Sequence, residues 1–179
     1  MATKTKLHPR NQHREGYDFA RLVAHTPALK AFVISNPVGQ TTINFQDVGA
    51  VRMLNRALLK TYYDINFWDI PADYLCPPIP GRVDYIHYLA DLLASSNDQK
   101  TPLGFDIKAL DIGTGASLVY PLVGQREYGW HFTGVDIDPV AIKSAQQICQ
   151  FNKLKINLRR QNIRENIFRG VIEPQDAFH

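Results

Sequence analysis

The run Leu110-Asp111-Ile112-Gly113-Thr114-Gly115-Ala116-Ser117 is the part of this chain best equipped to hold a ligand. Two glycines one residue apart let a backbone turn sharply and let a ligand lie against it. The turn is predicted between a strand (107–111) and a helix (117–128), the setting that nucleotide-binding glycine turns require. A second acid, Asp136, closes the next predicted strand, where a carboxylate can accept hydrogen bonds from both hydroxyls of a ribose. Two ligand classes compete for such a turn. A dinucleotide needs a third glycine, and that position is Leu118. Asp111 would also repel a pyrophosphate. S-adenosylmethionine carries an ammonium and a sulfonium but no phosphate, so Asp111 suits it. Asp111, Gly113, Thr114 and Gly115 are therefore candidate cofactor contacts, with Asp136 as the ribose acid. Ser117 is either a ligand contact or the N-cap of the helix that follows, and Asp138, just before Pro139, reads as a helix cap.

The elements that must position these groups follow from periodicity. Strands are predicted at 107–111, 132–136 and 156–160, with helices at 117–128 and 139–151 between them. This alternation opens a parallel, doubly wound α/β sheet, although three strands are few for one. Pro102 ends a polar stretch and marks the best domain boundary. Before it the style is mostly helical. Asp18 caps a helix bearing Phe19, Leu22 and Val23, and Thr26-Pro27 restarts one carrying Leu29, Phe32 and Val33. Asn36 to Gly39 is a turn, and 41–45 is a short strand. Asp47 caps a helix with Val51, Leu54, Leu58 and Leu59 inward. Residues 64–82 hold four of the eleven prolines, and Phe67, Trp68, Tyr74, Leu75 and Ile79 there call for burial, so they form an ordered loop. A helix over 83–95 then places Tyr85, Tyr88, Leu89, Leu92 and Leu93 on adjacent turns.

Composition removes several classes. Apolar residues are 45% and charged residues 21% of the chain, with a net charge of +3, which is a globular balance and only mildly basic. No window nears the ~18 apolar residues that span a bilayer, and the basic start lacks the apolar core of a secretory signal. Cys76 and Cys149 stand apart with no metal-ligand spacing, so neither a disulfide framework nor a metal site is expected, and a reducing cytoplasm fits best. The charge is uneven. Lys4, Lys6, His8, Arg10, His13 and Arg14 precede the first acid, Glu15. Residues 1–15 read as a basic arm unable to pack alone, either a solvated terminus or a nucleic-acid contact.

One motif is set aside. Amino methyltransferases acting on bases use Asn/Asp-Pro-Pro-aromatic, in which the amide or carboxylate accepts the amine's hydrogens and the ring stacks on the base. Cys76-Pro77-Pro78-Ile79 has neither the acceptor nor the ring.

Taken together, Leu7-His8-Pro9-Arg10-Asn11, Trp68-Asp69-Ile70-Pro71, Cys76 to Arg82 with Tyr85-Ile86-His87, the 110–116 turn with Tyr120-Pro121-Leu122, and Tyr128-Gly129-Trp130 with Phe132-Thr133-Gly134 closely resemble the bacterial large-subunit ribosomal RNA adenine-N6 methyltransferases, the family named for adenine 1618 of 23S rRNA. Human methyltransferase-like relatives that modify U6 snRNA share the pattern. The resemblance covers essentially the whole chain. It implies an α/β, Rossmann-like S-adenosylmethionine domain (102–179) behind a small, mostly helical RNA-binding extension (16–101) and the arm. It implies methyl transfer to N6 of one adenine, with 23S rRNA as the partner. Arg82, in the loop before the 83–95 helix, is then either a fork for the methionine carboxylate or a loop-anchoring ion pair. Lys4, Lys6, His8, Arg10 and Arg14 become RNA contacts. The family carries Asn-Pro-Pro-Phe further along, which leads to the expectation that these residues are the first part of a chain roughly twice as long and that they do not transfer methyl alone. The alternative is a non-catalytic RNA-binding module on the same fold.

Overall fold

In the computed structural model, which describes residues 7–162 and 166–179, the extension begins with helix α1 (Phe19–His25). Asp18 caps it by accepting from Arg21 N. The next turn is tighter than expected. Pro27–Phe32 is a 3-10 helix, and Val33, expected on its face, instead opens strand β1 (Val33–Ser35), which pairs antiparallel with β2 (Thr41–Ile43). Helix α2 (Val48–Tyr63) starts where Asp47 accepts from Gly49 N and Ala50 N. Its apolar face seats Leu54, Leu58 and Leu59 in the core, each fully enough to contribute about 2 kcal/mol.

Helix α3 (Ile79–Ser95) begins four residues earlier than the sequence suggests. Proline breaks a helix interior but fits the first turn, where its missing N–H has no partner to lose. Pro80 therefore belongs to the helix, and Arg82 lies in the first turn of α3, not in the loop before it. The buried face is also rotated from expectation. Val83, Ile86 and Ala90 go inward, while Tyr85, Tyr88 and Leu92 are more than half exposed. Leu75, expected in the core, is exposed as well.

The α/β part runs β3 (Lys108–Ile112), α4 (Val119–Tyr128), β4 (His131–Asp136), α5 (Pro139–Asn152) and β5 (Asn157–Arg160). The three strands form a parallel sheet in the order β3-β4-β5, with Ile112 opposite Val135 and Asp136 opposite Arg160. Helix α4 lies unusually close to the sheet at Gly124, where a Cβ would sit 2.4 Å from the Phe132 ring. Among the described residues no strand pairs with the free edge of β3. His179 N donates to Lys108 O there at 2.9 Å. One buried cluster runs from Leu22 and Leu58 in the extension through Ile86 and Leu122 to Ile148, so the two parts share a core. Among the described residues no helix is long and apolar enough to cross a membrane.

Candidate functional site

Strand β3 ends in the glycine turn. Gly113 and Gly115 both take positive φ, 77° and 66°, conformations that a side chain disfavours. The turn is tied to the neighbouring strand rather than left loose. Gly113 N and Thr114 N donate to Val135 O at 2.8 and 2.9 Å, and Gly115 N donates to Asp136 Oδ2 at 2.9 Å. The Thr114 hydroxyl donates to Asp111 Oδ2 at 2.7 Å and packs over Gly134, where a Cβ would meet it at 3.0 Å. Burial holds the Asp111 carboxyl above the usual carboxylate range. The Thr114 bond partly offsets this, and the nearby Asp136 adds to it. A cationic group brought to Asp111 would relieve that cost, and an anionic one would increase it.

Above the turn lies a cleft of about 190 Å³. Its lining includes Gly113, Thr114, Gly115 and Ser117 together with Arg82 and Tyr120. Among the described residues the Arg82 guanidinium makes one hydrogen bond, to Tyr120 Oη at 2.7 Å, and it also lies over the Tyr120 ring. It is in none of the ion pairs that the described residues form. A second cleft, of about 460 Å³, lies beyond the end of β4 and is lined by Ile137, Asp138, Pro139, Arg160, Gln161 and Asn162. Tyr74 Oη donates to Asp138 Oδ2 between the two clefts. That bond pushes the Tyr74 hydroxyl up to about 12 and, with the Val140 amide, holds Asp138 below the usual carboxylate range.

Of the residues singled out from sequence, Arg82, Asp111, Gly113, Thr114, Gly115, Ser117 and Asp136 are thus brought to one end of the sheet. Asp138 caps α5 as expected, accepting from Val140 N at 2.8 Å. Ser117 does not cap α4, which starts two residues later behind Leu118, a buried residue in the left-handed conformation. Sequence reasoning missed Tyr74 and the grip of Tyr120 on Arg82. Tyr120 stood in a recognisable block, but nothing local ties it to a residue 38 positions away.

The basic residues fall elsewhere. The sequence predicts that residues 1–15 form a basic arm that cannot pack alone, but residues 8–13 are packed against α2 and α3. His8 is 4% exposed, with its Nε2 2.8 Å from Asp91 Oδ2 and its N–H donating to Asp84. Arg10 donates to Asp91, to the Tyr128 hydroxyl and to His87 O. Asn11 is buried and donates to Pro80 O and Asp84. His13 is buried 2.9 Å from Tyr63 Oη. The acids of α3 supply the partners that the segment itself lacks. His8 is therefore committed inward and Arg10 is half spent, while Arg14 is exposed. Lys4 and Lys6 lie outside the described residues.

A parallel sheet with a glycine turn on one strand end and an acid on the next, and with no third glycine, defines a methyltransferase-type nucleoside site. The family model described as RNA methyltransferase matches residues 1–179, and the chain belongs to that family. It is 60% identical over 177 residues to "Ribosomal RNA large subunit methyltransferase F" of Pseudoalteromonas translucida (strain TAC 125), covering 99% of this chain and 57% of that protein. It is 55% identical to the protein of that name in Pseudomonas savastanoi pv. phaseolicola, covering 98% of this chain and 54% of that one. The chain therefore spans just over half the length of these relatives. Among solved structures, the N-terminal domain of human METTL16 in complex with SAH superposes with a TM-score of 0.83 at 31% identity, covering 96% of this chain and 65% of that one. The hMettl16 catalytic domain in complex with MAT2A 3'UTR hairpin 6 gives 0.76 at 33%, covering 89% and 55%.

Proposed function

We propose that this chain forms the S-adenosylmethionine-binding part of an enzyme that methylates N6 of an adenine in 23S rRNA of the large ribosomal subunit. The reading rests on one observation above the others: the Gly113–Gly115 turn, bonded to Asp136 and lining one cleft together with Arg82. The residues fit this cofactor. The Arg82 fork matches a methionine carboxylate, since its one hydrogen bond to Tyr120 leaves donors over. Asp111 favours the cationic portion. Asp136 still has acceptor capacity beside the Gly115 amide, enough for ribose hydroxyls. The second cleft, past Ile137, has room for the base. S-adenosylmethionine supplies, when bound, a methyl group on a sulfonium that a nucleophile can take in line. This chain's part is to hold that donor at a fixed angle and depth, a positioning effect worth several orders of magnitude in rate. The named relatives support the ribosomal target, the solved complex with a hairpin supports an RNA partner, and a ribosomal substrate fits a cytoplasmic place.

Calorimetric titration with S-adenosylhomocysteine tests the cofactor reading. The wild-type chain binds, and Asp136→Ala weakens binding by about 1–3 kcal/mol through loss of a charged acceptor. Equal affinity in the variant would overturn the assignment.

A further inference from the structure

The block Trp68-Asp69-Ile70-Pro71 lies in the extension, and the cofactor reading makes no use of it. Yet Trp68 is 1% exposed, and its indole Nε1 donates to Ser117 O, in the cofactor turn, at 2.8 Å. The preceding carbonyl, Ala116 O, accepts from the Ser144 hydroxyl of α5 at 3.1 Å. Both residues of the turn are buried, and both carbonyls precede the first rung of α4, which is Leu122 N to Leu118 O. Without these two donors the turn would bury unpaired carbonyls, which costs free energy that a repositioned backbone would recover.

The donor itself is fixed from two sides. Arg56 of α2 donates to Trp68 O at 3.0 Å and pairs with Asp69 at 3.1 Å. On the other side Asn152 of α5 exchanges two hydrogen bonds with the Phe67 backbone, at 3.0 and 2.6 Å. The 67–69 segment is thus clipped between the extension and the sheet's last helix, with its indole as the pin into the turn.

We infer that Trp68 and Ser144 are positioning residues for the cofactor turn, so that the extension sets cofactor affinity. The inference rests on the cofactor reading of that turn. Trp130 provides an internal control. It is equally buried and its indole also donates to a carbonyl, Pro102 O at 2.9 Å, but it sits before β4, at the opposite end of the strand from Asp136.

The experiment measures S-adenosylhomocysteine affinity by calorimetry and ligand-free Tm for wild type, Trp68→Phe, Ser144→Ala and Trp130→Phe. Both tryptophan variants lose Tm. Trp68→Phe weakens affinity about tenfold and Ser144→Ala about threefold, while Trp130→Phe stays at the wild-type value. Trp130→Phe also leaves Trp68 as the sole tryptophan of the two, and its emission shifts when S-adenosylhomocysteine binds. Wild-type affinity in Trp68→Phe, or an equal loss in Trp68→Phe and Trp130→Phe, overturns the inference. Should Trp68→Phe not fold, an unaltered affinity in Ser144→Ala with a silent Trp68 emission does the same. A wild-type chain that does not bind the ligand brings down the cofactor reading first, and this inference with it.

Discussion

The glycine turn and the 8–13 segment are both irregular backbone pinned by side chains, but they are built in opposite senses. In the turn, backbone amides face inward to Val135 O and Asp136, and the outer surface is left as an open cleft. In the segment, side chains face inward: His8, Asn11 and His13 are each under 5% exposed, and their partners on α2 and α3 close the surface over them. The first arrangement leaves room for a ligand beside strained, glycine-dependent backbone. The second consumes most of its polar groups, although His13 Nδ1 is buried with no partner among the described residues, and it behaves as structure. Rich polar chemistry in a segment is thus no measure of ligand binding; what counts is whether its donors and acceptors are already spent.

The largest way to break this contrast is through Gly134, where a Cβ would already stand 3.0 Å from the Thr114 hydroxyl and 3.1 Å from Leu158, so that a larger side chain crowds the turn. Gly134→Val forces Thr114 and the turn outward. We expect a loss of about 3 kcal/mol in stability, typical of overpacking, together with loss of S-adenosylhomocysteine binding by calorimetry. A variant that binds normally would mean that the turn tolerates displacement and is not the cofactor's seat.

Asn11→Ala is the counterpart in the segment. It removes two donated hydrogen bonds and the acceptor for His13 N. Urea unfolding should show a loss of about 2 kcal/mol, the range for stranded buried partners, with cofactor affinity nearly unchanged. A collapse of affinity as large as that of Gly134→Val would join the segment to the cofactor site and erase the distinction.

This pair also shows what was legible in the sequence. The turn was, because its glycines, Asp111 and Asp136 act on neighbours at strand ends that periodicity places. The segment was not, because His8 and Arg10 meet acids 76 to 83 residues away, and a run of cations with no local acid reads as an arm. The start of α3 was misplaced since Pro80 signals a break unless the helix is known to begin there. The partner strand β1 is three residues long and follows a 3-10 helix directly, too short for alternation to show. Trp68 was legible as buried, but its acceptor was not, since a carbonyl leaves no mark in sequence.

Acid sharpens the contrast, because the segment holds one strongly depressed histidine, His13, and packs against another, His87 of α3. Burial lowers His13 and His87 from 6.5 to about 4. The neighbouring His87 assists at His13, and His8 and Arg10 assist at His87, where Asp84 and Asp91 oppose. In the unfolded chain these rings take protons near 6.5, before the native state does. Their contribution to stability is therefore complete above 6.5 and is lost as pH falls toward 4. Between pH 6.5 and 5, above the range where depressed carboxylates titrate, Tm should fall by several degrees. The double variant His13→Gln/His87→Gln should flatten that fall. A wild-type Tm that is level across the window would show the two rings to be open to protons, and the segment to be looser than its hydrogen bonds indicate.

The smallest expected effect bears on what remains free at the amino terminus. Since His8 is spent inside and Arg10 is tied to Asp91, the RNA contacts proposed for this region fall to Arg14, which is exposed, and to Lys4 and Lys6. Deleting residues 1–14 would confuse two causes, because it also strips the packing around Asn11 and His13. Lys4→Ala, Lys6→Ala and Arg14→Ala, singly and combined, each remove one cation and leave Asn11 and His13 in place. Phosphate contacts add affinity without sequence information, so each change should weaken all RNAs alike. Each lost contact should flatten the salt dependence by ~0.7 log units per decade on single-stranded RNA. Fluorescence anisotropy with a labelled rRNA hairpin at several salt concentrations reads both quantities. Arg10→Ala serves as the contrasting variant, since it should lower Tm more than it lowers the salt slope. If Arg10→Ala flattened the slope as much as Arg14→Ala, the Asp91 pair would open on RNA, and the segment would then work as a binding surface like the cleft. If none of the four changed the slope, RNA would approach this protein from another face.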